Sequence, residues 1–513
     1  MKIKFVNIAI IKDAELELGD FNLFLGLPST GKSFALKAIH SSLIFADEIY
    51  ELPQLRDKML SLVNTGTDIL ISYILSLKDR YNVLHETTLK NLLKVINEGN
   101  KFNITASVED NKIIIQEKFN IIPELKKAMK TVQLDILKGA INYSNSSKLY
   151  IDGAMAEDII DSLDISFSYF DVNCANLSMH YTVNGYYSYT DNQLIITTKI
   201  NLSGERVGQK LLKEDEIRNM GTPRIETFII KNVFYDKMFL VMDKFKERVG
   251  VKNVLFIPNE RLIISQLIDN YQSLPPEFHD QLYMLFEHLG VSTLSYMLSL
   301  DRVKSPLENG LYDMIRNKEI LRIIQAITGA EIVSEERSGL KFKINGSVIE
   351  PKYVSSMINE VFNILLPLAD VQTPALVLIE EPESQLHLAY QILLLLAMLS
   401  LVQHGYKFVV STHSDLMASF LGDLDRYKPS KEKVVDLIKK IFNKESLSPT
   451  IEKVIEEAVK TINENKIKTF YFENRTVSEF PTKELAYRVP TVTKEVIDRV
   501  IDWEFELKEE SNF

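Results

Sequence analysis

Cysteine is nearly absent from this chain: Cys174 is the single one among 513 residues. No internal disulfide can form, and no cysteine-rich zinc or iron–sulfur site is expected. Glycine and proline are also scarce, with 19 and 16 residues, which excludes collagen-like and low-complexity architectures. These shortages indicate a globular protein of a reducing compartment.

Long apolar segments are missing too. The most apolar stretch, residues 386–402, contains His387 and Gln391 and falls short of the roughly 18 to 20 residues that span a membrane. The first residues have no continuous apolar core of the kind that a signal peptide needs. We expect a buried helix at 386–402, no membrane association and a cytoplasmic location.

Basic residues are fewer than acidic ones, 59 against 70, and the formal net charge is −11. A protein whose whole surface binds nucleic acid is expected to be basic. That class is therefore disfavoured, whereas a local basic groove is compatible with this net charge. Apolar residues make up 46% and charged residues 25%, as in ordinary globular domains. The length predicts about three domains.

Strand and helix patterns alternate in two separate parts of the chain. Residues 1–48 begin with period-two apolar residues, followed by a loop and a helix, and residues 251–425 alternate continuous apolar strands with helices. This alternation predicts an α/β fold with a parallel sheet covered on both faces. We expect residues 49–250 to form an α+β insertion. Residues 426–513 are expected to form a mainly helical extension with a strand near 468–473.

The strongest motif lies between the first strands and the first helix, and it matches G-x-x-x-x-G-K-[ST]. Its glycines allow a tight turn close to phosphate oxygens, and the N–H groups of the loop and helix attract an anion. Lys32 is expected to reach the β- and γ-phosphates and Ser33 to bind Mg²⁺. The predicted nucleotide-binding residues are Gly26, Leu27, Pro28, Ser29, Thr30, Gly31, Lys32, Ser33 and Phe34.

A second motif places two carboxylates after an apolar strand, in the sequence ALVLIEEP at residues 375–382. Ligands bind at the carboxyl ends of the strands in open α/β sheets, so both side chains are expected near the nucleotide. Glu380 is predicted to hold Mg²⁺, directly or through water, and Glu381 to polarise the attacking water. Such a pair alone is common at a solvated turn, and the P-loop upstream favours the catalytic interpretation.

A third motif, Ser411-Thr412-His413-Ser414, follows the next apolar strand. It comes about thirty residues after the glutamate pair, an interval that holds one helix and matches a single β–α–β step. We therefore predict that His413 lies at the same sheet edge and contacts the γ-phosphate.

As a set, the P-loop, LVLIEEPESQLH and VVSTHSDLM resemble the motifs of ATPases with an ABC/SMC-type head. The resemblance is closest to the prokaryotic AAA-family ATPases grouped with the overcoming-lysogenisation-defect (OLD) proteins. It covers residues 1–45 and 251–425, and it implies a P-loop NTPase of the ABC/SMC-like head type that uses Mg²⁺ with ATP. It also implies Glu380 as the metal carboxylate, Glu381 as the catalytic base and His413 as the switch histidine. The sequence after His413 shows no acidic cluster typical of the Toprim nuclease of OLD proteins.

The resemblance further implies that two heads share their nucleotide sites. Ser355 or Ser356, in a segment before the acidic strand, would contact the partner's γ-phosphate, and the loop 384–387 would link the protomers. Arg261 or the nearby Gln266 is expected to face the nucleotide. We thus expect a homodimer or higher homo-oligomer, the alternative being that the inserted lobe covers the site within one chain.

Two functions fit these motifs. The first is an ATP-hydrolysing, dimerising switch that acts near DNA or in phage defence. The second is a sensor or scaffold that binds ATP, hydrolyses it rarely and regulates a separate effector protein. A membrane-transporter subunit is disfavoured, because an insertion of about 200 residues does not suit a compact transporter ATPase. A nucleic-acid function predicts salt-sensitive binding.

Overall fold

The structure is a computed structural model. It describes residues 1–43, 104–109, 112–119, 121–141, 143, 144, 146–162, 172–178, 181–190, 193–201, 247, 250–271, 290–308, 311–335, 339–473 and 475–485.

The secondary structure alternates as expected for a mixed α/β chain. The strands are β1 (Lys2–Ile8), β2 (Ile11–Glu17), β3 (Phe21–Gly26), β4 (Ile104–Glu109), β5 (Lys112–Phe119), β6 (Lys148–Ile151), β7 (Ala154–Met155), β8 (Val172–Ser178), β9 (Tyr181–Thr190), β10 (Gln193–Asn201), β11 (Asn253–Ile257), β12 (Glu331–Glu335), β13 (Gly339–Ile344), β14 (Ser347–Ile349), β15 (Ala375–Glu380), β16 (Tyr406–Ser411), β17 (Ile467–Glu473) and β18 (Thr476–Phe480). The α-helices are α1 (Lys32–Leu43), α2 (Ile121–Ile141), α3 (Ala156–Ser162), α4 (Arg261–Tyr271), α5 (Val291–Glu308), α6 (Lys318–Thr328), α7 (Ser356–Leu365), α8 (Leu388–Val402), α9 (Asp415–Tyr427), α10 (Lys431–Phe442) and α11 (Pro449–Asn463).

A six-stranded sheet in the order β11-β15-β16-β3-β17-β18 forms the centre of the first compact unit. Its first five strands are parallel, and β18 pairs antiparallel with β17. The strand register aligns Ser411 with both Phe24 and Glu380. The ends of β3, β15 and β16, which carry the three motifs, therefore meet at one edge of the sheet.

Burial explains the continuous apolar strands of this sheet. All six residues of β15 are buried, and so are five of the six residues of β3, because helices cover a parallel sheet on both faces. The apolar stretch near residue 390 forms α8, which is buried from Gln391 to Val402. This confirms the predicted buried helix. Within the described ranges, no helix is both long enough and apolar enough to cross a membrane.

The compact units have boundaries that differ from the predicted domains. The first unit contains residues 1–48, 133–158 and 246–513, and the second contains residues 49–132 and 159–245. Two sheet pairings account for the difference. β6 pairs with β1, which returns part of the expected insertion to the first unit. β17, in the place of the strand expected near 468–473, pairs with β3, so the C-terminal region supplies a strand of the six-stranded sheet.

The second unit is built around a separate five-stranded sheet in the order β4-β5-β10-β9-β8. All four of its pairings are antiparallel. This agrees with the α+β character that the sequence predicts for the inserted region.

Candidate functional site

The predicted P-loop connects β3 to α1 through a backbone that only certain residues adopt. Gly26 has φ 142°, Ser29 has φ 61° and Gly31 has φ 106°. A Cβ atom on Gly26 would lie 2.4 Å from the carbonyl oxygen of Phe472, and one on Gly31 would lie 3.1 Å from side-chain carbons of the β1–β2 turn. Gly26 is therefore required by the neighbouring backbone, and both glycines have a positive φ that strains any other side chain.

Lys32 is held inside this loop. Its Nζ donates to the carbonyl oxygens of Gly26 at 2.8 Å and Leu27 at 2.9 Å, and the residue is only 5% exposed. Burial lowers the pKa of Lys32 to about 8, although the nearby charges of Glu381 and Glu383 oppose the shift. A phosphate group in the loop would offer this amine charged oxygens, which form stronger hydrogen bonds than neutral carbonyls.

Ser33 and Glu380 meet at the carboxyl edge of the sheet. Glu380 is 4% exposed, and burial raises the pKa of its carboxyl group, with Lys37 and a hydrogen bond from Ser33 acting in the opposite direction. Its Oε1 is buried and has no hydrogen-bond partner. A buried carboxylate oxygen without a donor, beside a hydroxyl group, fits Mg²⁺, which takes oxygen ligands and keeps several from phosphate and water.

Among the described residues, no group of three or more His, Cys, Asp or Glu side chains is arranged to hold a metal ion.

Glu381 follows in a strained conformation that turns its side chain toward the next strand. Its φ is 44°, and its N–H donates to the carbonyl oxygen of Ser411 at 2.9 Å. One carboxylate oxygen accepts a hydrogen bond of 3.1 Å from Asn259 Nδ2, and the other lies 3.6 Å from His413 Nε2. The predicted base and the predicted switch histidine are thus neighbours.

Glu383 fixes the main chain at His413. Its Oε1 accepts the N–H of His413 at 2.6 Å. Burial raises the pKa of the Glu383 carboxyl group. The pKa of the His413 imidazole is lowered, because burial and the Lys32 charge outweigh the opposing effect of Glu381. The neutral imidazole is favoured, in which one ring nitrogen donates a hydrogen bond and the other accepts one.

Arg261 begins α4 and binds the turn at residues 380–383, which we call the acidic turn. It is fully buried and donates from Nη1 to the carbonyl oxygens of Pro258 and Glu380 and from Nη2 to that of Glu381, at 2.8 to 2.9 Å. It also forms an ion pair with Glu360 of α7. The guanidinium group therefore binds the backbone of the acidic turn and the Glu360 carboxylate. That Arg261 faces the nucleotide stays a prediction. Gln266 is exposed on α4.

Ser355 and Ser356 lie at the exposed start of α7. Ser355 caps the helix, since its side chain accepts the N–H of Ile358. His387 does the same for α8 by accepting the N–H of Ala389 at 3.3 Å. Capping explains why a serine stands at position 355, and Ser356 is exposed.

Sequence reasoning missed Asn259 and Glu383 as members of the site. Asn259 belongs to the turn after β11, and its side chain also accepts a hydrogen bond of 2.9 Å from the hydroxyl of Ser384. Glu383 could have been identified as the third carboxylate in EEPE. Asn259 could have been identified as a polar residue directly after an apolar strand and a proline.

Comparisons with known proteins return structural likenesses alone. No protein-family model matches the chain, and no curated protein matches it. Among solved structures, an SMC head bound to the C-winged helix domain of ScpA is 10% identical, with 93% of this chain and 96% of that one covered and a TM-score of 0.29. The SMC head domain from Thermotoga maritima is 9% identical, with coverages of 94% and 97% and a TM-score of 0.28.

A third structure is an SMC head domain with an extended coiled coil, bound to the C-terminal domain of ScpA derived from Pyrococcus furiosus. It is 8% identical, with coverages of 97% and 98% and a TM-score of 0.27. At these scores the likeness decides nothing about activity or partners. The α/β fold of P-loop type rests on the sheet order and on the loop between β3 and α1.

Proposed function

We propose that the chain binds ATP with Mg²⁺ and hydrolyses it. The observation that carries this proposal is the convergence of Lys32, the Ser33–Glu380 pair and the Glu381–His413 pair on the ends of β3, β15 and β16. A phosphate-binding loop, a pair of oxygen ligands and a carboxylate beside a histidine are the parts that phosphoryl transfer to water requires.

Each of these residues has a distinct part in the proposed reaction. The N–H groups of the loop and the Lys32 amine bind the β- and γ-phosphates. Ser33 and Glu380 hold Mg²⁺, which neutralises charge on the phosphate oxygens when bound. Glu381 orients and polarises the attacking water, while His413 donates a hydrogen bond to the γ-phosphate, where negative charge develops.

We infer further that ATP drives the association of two heads, with Ser355 or Ser356 and the loop 384–387 completing the partner's site. The exposed start of α7 supports this part of the proposal. Such a switch suits a role near DNA or in phage defence, in line with the motif resemblance to OLD-type ATPases. The competing role, a sensor with rare turnover that regulates an effector, predicts ATP binding without a measurable steady-state rate.

The binding part is tested with Lys32→Ala. We expect this variant to lose ATP binding in calorimetry while its circular dichroism spectrum and melting temperature stay close to those of the wild type. Lys433→Ala, at an exposed position of α10, is the matched control and should bind ATP. Wild-type affinity in Lys32→Ala would contradict the assignment of the loop.

The hydrolytic part is tested with Glu381→Gln, which keeps the shape of the side chain but cannot polarise water. ATP binding should survive, and kcat should fall by about 10² to 10⁴-fold, as is typical for loss of a positioned base. Turnover at the wild-type rate in this variant would remove Glu381 from the mechanism.

A further inference from the structure

Three side chains form a hydrogen-bonded series that ends on the proposed base. The hydroxyl of Ser384 donates to Asn259 Oδ1 at 2.9 Å, and Asn259 Nδ2 donates to Glu381 Oε2 at 3.1 Å. An ionised carboxylate only accepts hydrogen bonds, so the amide must present its NH₂ group to Glu381. Its carbonyl oxygen then faces Ser384, whose hydroxyl is the donor that suits it. The chemistry of the neighbours thus fixes which way the amide points.

Arg261 links the backbones of the two turns that carry Asn259 and Glu381. Asn259 lies between Pro258 and Arg261, and the Arg261 guanidinium donates to the carbonyl oxygens of Pro258, Glu380 and Glu381. The turn after β11 and the turn after β15 are therefore tied together at their backbones. A side chain on the first turn keeps a fixed distance from a side chain on the second.

We propose that Asn259 is a positioning residue for Glu381, and that Ser384 sets the orientation of the Asn259 amide. This inference rests on the proposed role of Glu381 as the base. With Nδ2 on Oε2 and His413 on the side of Oε1, the carboxylate plane is fixed, so one oxygen is directed at the attacking water. Ser384 belongs to the loop 384–387, which gives that loop a direct connection to the base.

A purely structural role for Asn259 is the competing explanation, because asparagine is common in turns. The two explanations predict different results for Asn259→Asp. Aspartate has nearly the same shape and also suits turns, so a structural role predicts that it is the milder change and Asn259→Ala the more damaging one. A donor role predicts the reverse, since the new carboxylate replaces the NH₂ donor with an acceptor and repels Glu381.

The experiment compares Asn259→Asp, Asn259→Ala and Ser384→Ala by steady-state kinetics and ATP titration of the purified full chain. We expect ATP affinity close to that of the wild type, because the Asn259 side chain hydrogen-bonds to Glu381 and Ser384. Displacing a reacting group by 1 Å costs on the order of 10²-fold in rate, so kcat should fall about 10- to 100-fold in Asn259→Asp. The loss should be smaller in Asn259→Ala and smallest in Ser384→Ala.

Asn7→Asp is the matched control for the chemical change. Asn7 is exposed and its amide donates to the carbonyl oxygen of Ser146 at 3.3 Å, so its variant should keep the wild-type kcat. A further measurement places Asn259→Ala in the Glu381→Gln background, where it should cause no additional loss because the group that it positions is gone.

The inference is overturned if Asn259→Asp keeps the wild-type kcat, if Asn259→Ala is the slower of the two, or if the losses in the double variant multiply. These outcomes are distinct from failure of the proposed function itself. If Glu381 were not the base, Glu381→Gln would turn over ATP at the wild-type rate, whatever the Asn259 variants do.

Discussion

At the scale of single residues, His40 shows how a buried polar group is accommodated beside the site. It lies on α1, the helix that begins with Lys32, and it is fully buried. Its Nδ1 is 2.9 Å from Ser292 Oγ and its Nε2 is 3.3 Å from Ser295 Oγ, both on α5. The ring also packs against Phe256, with centroids 5.3 Å apart. Burial lowers the pKa of His40 to about 3, because the charged form would lose its hydration.

This shift predicts that the protein loses stability as the pH falls below about 6.5, the ordinary pKa of histidine. Between about 3 and 6.5 the unfolded chain binds a proton that the folded chain does not, so the free energy of unfolding decreases as pH decreases. The titration of His40 changes the free energy of unfolding by up to about 1.4 kcal/mol per pH unit. His40→Gln should be less stable than the wild type at pH 7, and the difference in urea midpoint should narrow toward pH 5. A constant difference across this range would show that His40 does not titrate as described.

The motifs located Lys32, Ser33, Glu380, Glu381 and His413 from the sequence, because each follows a strand or opens a helix and parallel strands end at a common edge. The same argument places Asn259 and Glu383 at this edge, since they follow β11 and β15. It does not predict that Asn259 binds the Glu381 side chain or that Glu383 binds the backbone of His413, because spacing along the chain carries no information about such contacts. The expectation that Arg261 faces the nucleotide came from the motif resemblance, which carries no information about its buried contacts with Glu360 and the backbone.

At the scale of elements, a buried ion pair connects α4, α7 and the acidic turn. Arg261 binds the carbonyl oxygens of that turn and pairs with Glu360, one helical turn after Ser356. Burial raises the pKa of Glu360 to about 7, although the Arg261 charge opposes the shift. The loss of hydration thus outweighs the attraction at this carboxylate. Such a pair contributes more to the relative position of its elements than to net stability.

Removing one member of this pair should be costly. In Glu360→Ala the guanidinium group would stay buried without its counter-charge, and breaking a buried pair in this way costs about 3 to 5 kcal/mol. We expect a clear fall in the urea midpoint. Glu350→Ala is the control, because the ion pair between Glu350 and Lys352 is exposed. Its urea midpoint should equal that of the wild type. An unchanged midpoint in Glu360→Ala would exclude a structural role for the pair.

The elements themselves were largely predictable where periodicity was strong. The helix α8 and the strands β15 and β16 follow directly from their apolar runs. The placement of β17 was not predictable, because nothing in its sequence specifies that it pairs with β3, a strand far earlier in the chain. The return of β6 to β1 has the same origin, since pairing between distant strands depends on the assembled fold.

At the scale of the whole molecule, the proposed two-head arrangement predicts complementation. A Lys32→Ala chain lacks its own loop lysine, and a Ser356→Arg chain carries a bulky cation at the start of α7. Each should be inactive alone. A mixture contains one composite site with a normal loop from one chain and a normal α7 from the other, so ATPase activity should partly return. Sharing would be excluded by a lack of recovery together with an ATP-bound Glu381→Gln protein that stays monomeric in light scattering.

The pairing of β17 with β3 has a consequence for the order in which the protein is made. The loop glycine Gly26 packs against Phe472, and contacts separated by about 450 residues form late because the intervening chain must first exist. On the ribosome, the proposed phosphate-binding loop is synthesised well before β17, the strand that pairs with β3 beside it. The growing polypeptide therefore completes the surroundings of this loop only once translation has passed Glu473.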